Sequence, residues 1–98
     1  MNILVEIDGQ TRPLADCFWV RFDAKGCANG SAHPVSELET IASAQDAQLY
    51  FTPRARDRAR EDKQGVRYEL LTPEQWDTRA KPCLLGKCQH HPAETAAA

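Results

Sequence analysis

Two short runs in which every second residue is apolar constrain this chain more than any other feature. Ile3, Val5 and Ile7 alternate with Asn2, Leu4, Glu6 and Asp8, and Phe18, Val20 and Phe22 alternate with Cys17, Trp19, Arg21 and Asp23. Successive side chains of a strand point to opposite faces, so a period of two marks a strand with one buried face. Gly9 and Pro13 interrupt the first run. Leu49 with Phe51, and then Val66, Tyr68 and Leu70, mark a third and a fourth strand. The segment "DAKGCANGSA" (23–32) reads as turn chemistry throughout.

Helix signals lie between these strands. In "SELE" (36–39) the Ser36 hydroxyl and Glu39 carboxylate form a capping box, and Leu38, Ile41 and Ala42 continue an inward face as far as Ala47. "TPEQWD" (72–77) opens a second helix with Thr72 as cap, Pro73 in the first turn and Gln75 completing the box. Pro82 keeps that helix short. The stretch "PRARDRAREDKQ" (53–64) offers only Ala55 and Ala59 as an apolar face. Its arginines crowd the end where a helix dipole favours acids. It is therefore expected to be a solvated connection between antiparallel strands rather than a crossover helix. The fold class that follows is α+β, a small four-stranded, mostly antiparallel sheet with one main helix and a short second helix in the order ββαββα. This domain is expected over residues 1–80, with a Cys/His-containing tail over 81–98 whose alanine-rich end favours fraying.

Composition narrows the class. At 98 residues with 42% hydrophobic and 27% charged residues, the chain has room for one domain and no reason to be disordered. A net charge of −2 and a pI near 5.9 give no overall field for nucleic acid, so any such binding needs a local patch. The N-terminal run lacks the basic start of a secretory signal, and no stretch approaches the roughly 18 apolar residues of a membrane span. A cytoplasmic location is expected, where thiols stay reduced, so Cys17, Cys27, Cys83 and Cys88 are read as thiols or metal ligands. The preference for arginine over lysine and the abundant alanine suit a GC-rich bacterial or phage genome.

Three candidate sites emerge. Cys83 and Cys88 fall within the spacing of compact zinc ligand pairs, and His90 supplies a third donor. A further donor would come from Cys17, Cys27 or His33. The same stretch also reads as a Cys83/Cys88 redox pair or as a tail without a site. Zinc is the one cofactor left open, and none is otherwise implied. Arg54, Arg56, Arg58 and Arg60 would project from one side of an extended chain and could grip phosphates or carboxylates. Asp57, Glu61 and Asp62 dilute that field. Trp19 lies on the strand face opposite Phe18, Val20 and Phe22, with Tyr50 as a companion. Either the short helix carrying Trp76 covers that face or it is an open anchor for a partner.

No Gly-rich phosphate loop, nucleophile elbow or H-E-x-x-H helix is present, and Cys27 near His33 lacks a third orienting group. The expected function is non-enzymatic binding by a small regulator or inhibitor that docks on a larger protein or nucleoprotein complex. Its contacts would be Arg54, Arg56, Arg58, Arg60, Trp19 and Tyr50. A phage- or mobile-element-encoded inhibitor fits that description. The alternative is a zinc-stabilised nucleic-acid-binding protein in which the arginine row meets phosphates.

Overall fold

The computed structural model describes residues 3–36 and 39–88. The chain is α+β. A three-stranded antiparallel sheet, ordered β4-β3-β5, is built from β3 (Phe18–Phe22), β4 (Ala28–Ala32) and β5 (Arg67–Leu71). A separate hairpin joins β1 (Leu4–Ile7) to β2 (Gln10–Pro13). The expected four-stranded sheet is thus five strands in two sheets. Strand β2 follows the Gly9 break and β4 lies within the 23–32 stretch that reads as turn, while only the runs at 3–7, 17–22 and 66–70 are strands as expected. The hairpin turns on Asp8 and Gly9, both at positive φ (53° and 79°), as a two-residue loop between right-twisted strands requires. It is tied to the rest of the chain by Gln75 Nε2 donating to Asp8 Oδ2 at 2.6 Å and by the Arg12–Glu74 ion pair at 3.2 Å.

Both faces of the three-stranded sheet are covered. On one, Val20, Phe22 and Leu71 are buried with Ala28 and Ala80, and Phe18, Trp76 and Cys83 pack around them. Burying a side chain such as Val20 or Phe22 stabilises by about 1.5–3 kcal/mol. The covering element runs over residues 73–84, from α3 (Pro73–Gln75) through a π-helical turn (Trp76–Ala80) to α4 (Lys81–Leu84). Its start matches the expectation. The Thr72 side chain accepts from Gln75 N–H, and the Gln75 side chain accepts from Thr72 N–H. The π turn has a local cause. Pro82 has no N–H to give and its ring would crowd the carbonyl four residues back, so the preceding turn widens and Lys81 N–H bonds to the Trp76 carbonyl instead.

The opposite face carries Trp19, Tyr68 and Leu70, packed with Ile41 and with Ala47 of α1 (Ala44–Phe51). Two sequence expectations change here. The main helix does not open at Ser36. Ser36 does accept the Glu39 N–H at 3.1 Å, but Val35 and Thr40 pair as an isolated antiparallel bridge, while Glu37 and Leu38 lie outside the described residues. Ser43 is the helix cap, accepting from Asp46 N–H at 3.1 Å. Leu49 and Phe51, expected in a strand, belong to α1 instead.

The arginine-rich segment is the largest departure. It forms α2 (Ala55–Gln64) rather than a solvated connection. Asp57 lies in its first turn and Lys63 in its last, the favourable orientation for the dipole. Gly65 at φ +80 closes the helix, with Gly65 N–H on the Asp62 carbonyl and Val66 N–H on the Glu61 carbonyl. Only glycine enters that left-handed position without strain. What holds α2 to the sheet is a charge, not an apolar stripe. Glu61 is buried and receives Arg21 of β3 through Nε (2.9 Å) and Nη2 (2.7 Å).

Candidate functional site

The sequence left Cys17, Cys27 and His33 as possible companions of Cys83 and Cys88, and the fold brings in Cys27. Each of Cys27, Cys83 and Cys88 offers an Sγ, and the three sulfurs lie within 4.8 Å of one another. The Cys27 and Cys88 sulfurs are 3.6 Å apart, far beyond the ~2.05 Å of a disulfide.

Both supporting turns are built from local bonds. At the β3–β4 connection the Asp23 carboxylate accepts from Lys25 N–H (2.9 Å) and Cys27 N–H (3.0 Å), and Asp23 N–H bonds to the Cys27 carbonyl (3.0 Å). This side-chain turn fixes where Cys27 leaves the sheet. At the other end α4 stops at a left-handed residue, Gly86 (φ +73). Gly86 N–H reaches the Cys83 carbonyl and Lys87 N–H the Pro82 carbonyl at 2.7 Å, which folds residues 83–88 back on themselves. Cys83 and Cys88 line a groove of about 480 Å³ together with Phe22, Arg67, Arg79 and Lys87.

Burial, followed by hydrogen bonds to Cys88 and Cys83, pushes the Cys27 thiol up to about 12. A nucleophilic cysteine needs the opposite shift. His33, the partner imagined for Cys27, has its ring against Phe18 at 5.3 Å. Cys17 stands apart, buried, with its thiol directed to the Pro13 carbonyl and its pKa raised by burial. His90, the expected third ligand, lies outside the described residues, as do His91 and the rest of the tail from residue 89.

The other predicted contacts are redistributed. Trp19 is no surface anchor. It is 5% exposed, and its indole N–H donates to the Ile41 carbonyl at 2.7 Å. Helix α1 covers its face, whereas the segment carrying Trp76 covers the other one. The arginines do not form a row, because in a helix residues two apart point away from each other. Arg58 turns back to donate to the carbonyls of Thr52 (3.1 Å) and Pro53 (2.6 Å), so it completes the end of α1. Arg56 and Arg60, four apart, share one side of α2, and Arg54 precedes its first turn; all three are exposed. Tyr50 is half-exposed at 51%, and Leu49 beside it at 52%.

Leu49 stands between two grooves. One, of about 450 Å³, runs between α1 and α2 past Gln45, Ala55, Arg58 and Ala59. The other, of about 360 Å³, is lined by Glu39, Thr40, Ile41 and Tyr50. An apolar ridge is the result, with a groove on either side and Arg58 lining one of them. The sequence does not disclose it, because Leu49 and Phe51 alternate as in a strand.

Comparison with protein-family models, with curated proteins and with solved structures finds no match for this chain. Among the described residues, no helix is long and apolar enough to cross a membrane.

Proposed function

We propose that this chain is a small non-enzymatic binding domain, a regulator or inhibitor that docks on a larger protein or nucleoprotein complex through its α1–α2 face. The observation that carries this reading is the half-exposed Leu49–Tyr50 ridge between its two grooves. Tyrosine and arginine are enriched where protein interfaces are strongest, because each combines a broad apolar surface with a hydrogen-bonding tip. Tyr50 fits that role, and the exposed Arg54, Arg56 and Arg60 offer charge to an acidic counterpart. Mixed charge on α2, with Asp57 and Asp62 among the arginines, favours a protein surface over a bare phosphate backbone.

The test is affinity capture from cells of the native source, followed by binding titrations on the purified partner. The Leu49→Ala/Tyr50→Ala double variant is expected to lose about 30-fold or more in affinity, the size of an interface hot spot, with an unchanged circular dichroism spectrum. Arg56→Glu/Arg60→Glu should slow association. An affinity for DNA or RNA that falls steeply with salt and survives the Leu49/Tyr50 change would point instead to phosphate binding.

A further inference from the structure

The docking face makes no use of the thiol cluster at the other side of the sheet. We propose that Cys27, Cys83 and Cys88 are three ligands of a structural zinc ion.

The spacing of the sulfurs carries the argument. Zinc–thiolate bonds of about 2.3 Å at tetrahedral angles place ligand sulfurs about 3.8 Å apart. Cys27 and Cys88 are 3.6 Å apart, and no pair in the triad exceeds 4.8 Å. One ion can therefore meet all three sulfurs after side-chain movements of well under the length of a bond. The donor set selects the metal class. Three thiolates with no carboxylate suit zinc and reject hard cations such as magnesium or calcium, which take oxygen ligands.

The surroundings fit as well. A zinc ion with three thiolates carries one net negative charge, and Arg67, Arg79 and Lys87 line the groove that Cys83 and Cys88 share. Arg79 and Arg67 are themselves placed by Glu69, at 3.1 and 3.5 Å, and by the Phe22 ring that both overlie. Supporting groups of this kind fix ligand geometry around a metal. The two turns that present the ligands, one ordered by Asp23 and the other closed at Gly86, are held by hydrogen bonds of their own. These bonds fix the positions from which the three sulfurs converge.

Zinc at this position would join residue 27 to residues 83 and 88 and fasten the 73–84 segment over the sheet. Binding free energy of the ion then becomes folding free energy.

The test uses the full chain, purified under reducing conditions and loaded with zinc alone. Native mass spectrometry is expected to find one zinc per chain, and X-ray absorption to find three sulfurs at about 2.3 Å with one lighter ligand. Cys27→Ser, Cys83→Ser and Cys88→Ser should each weaken zinc binding by more than ~100-fold, beyond what loss of a supporting group costs. Cys17→Ala, away from the cluster, should leave it unchanged. Because a ligand variant could fail to fold, the absorption measurement on the wild-type chain decides independently. Fewer than three sulfurs, or equal zinc affinity in the Cys27→Ser/Cys83→Ser/Cys88→Ser triple variant, overturns the site.

Discussion

Replacing Glu61 with Ala is expected to lower folding stability by about 3 kcal/mol, the lower end of the range for breaking a buried ion pair from one side. Glu61 is buried beneath four groups: Arg21, Thr52 (2.9 Å), Tyr68 (2.9 Å) and Gln48 (3.3 Å). Removing it takes the carboxylate from the Arg21 guanidinium, leaving it the neutral Asn29 side chain at 2.8 Å, and takes from α2 its principal attachment to the sheet. The lower end applies because the Arg21 side chain keeps 24% of its surface in water. Replacing both partners with apolar residues, as in Arg21→Met/Glu61→Leu, should cost less than Glu61→Ala alone, since no charge is then left buried.

The effect has a pH signature. Burial pushes the Glu61 carboxyl up, but the Arg21 guanidinium and the hydrogen bonds from Thr52, Tyr68 and Gln48 outweigh it and hold the pKa below the ordinary value. A carboxyl whose pKa is lower in the fold than in the open chain stabilises above its open-chain pKa, and this advantage disappears as pH falls through the folded value. Urea titrations of wild type and Glu61→Ala should therefore differ most near neutral pH and converge in acid. A difference below 1 kcal/mol at pH 7, the size of a surface pair, would show that α2 is held by something else.

Trp19→Ala is expected to be at least as damaging, at about 3–5 kcal/mol, in line with losing a large aromatic side chain from a core. In a domain of this size that is a large share of a total of about 5–15 kcal/mol. The indole fills the face shared with Ile41, Ala47, Tyr68 and Leu70. Trp19→Phe should keep most of that packing yet lose about 1–3 kcal/mol by leaving the Ile41 carbonyl unsatisfied. This separates Trp19 from Tyr50: a change at Trp19 acts on the fold, one at Leu49 and Tyr50 on affinity. Thermal melts check the distinction directly. A Trp19→Ala protein with an unaltered melting temperature would mean that the face behind α1 is not a core.

What the sequence disclosed were features written within a few residues of one another. The Thr72–Gln75 box and the alternation of Phe18, Val20 and Phe22 needed no distant partner. The β1–β2 hairpin turns on Asp8-Gly9, a strong local turn signal, but the polar "QTR" after it shows no apolar alternation, so from sequence Gly9 reads only as a break. Local capping chemistry misled at Ser36. Its hydroxyl takes the N–H three residues on, as that of Ser43 does, yet Ser43 starts a helix while Ser36 lies next to the isolated Val35–Thr40 bridge. In the "ANGSA" strand, small residues admit neighbours: Trp76 donates to the Ser31 hydroxyl at 2.9 Å, and the Phe51 ring lies against Gly30.

Two features could not be found locally. Arg21 and Glu61 are 40 residues apart, and no periodicity announces that a single acid will anchor a helix otherwise covered in charge. Cys27 and Cys88 are 61 apart, and Cys27 was one of three residues offered as a companion to the terminal pair.

The widened turn before Pro82 sets the azimuth of everything beyond it. Wound as ordinary α-helix, the segment from Trp76 would carry Cys83 roughly 100° further round the axis and out of register with Cys27. Pro82 contributes no sulfur and no charge, yet by forbidding the tighter winding it aims a thiol at its counterparts across the sheet. A proline-to-alanine exchange there would alter no donor atom and could still undo the convergence of three cysteines.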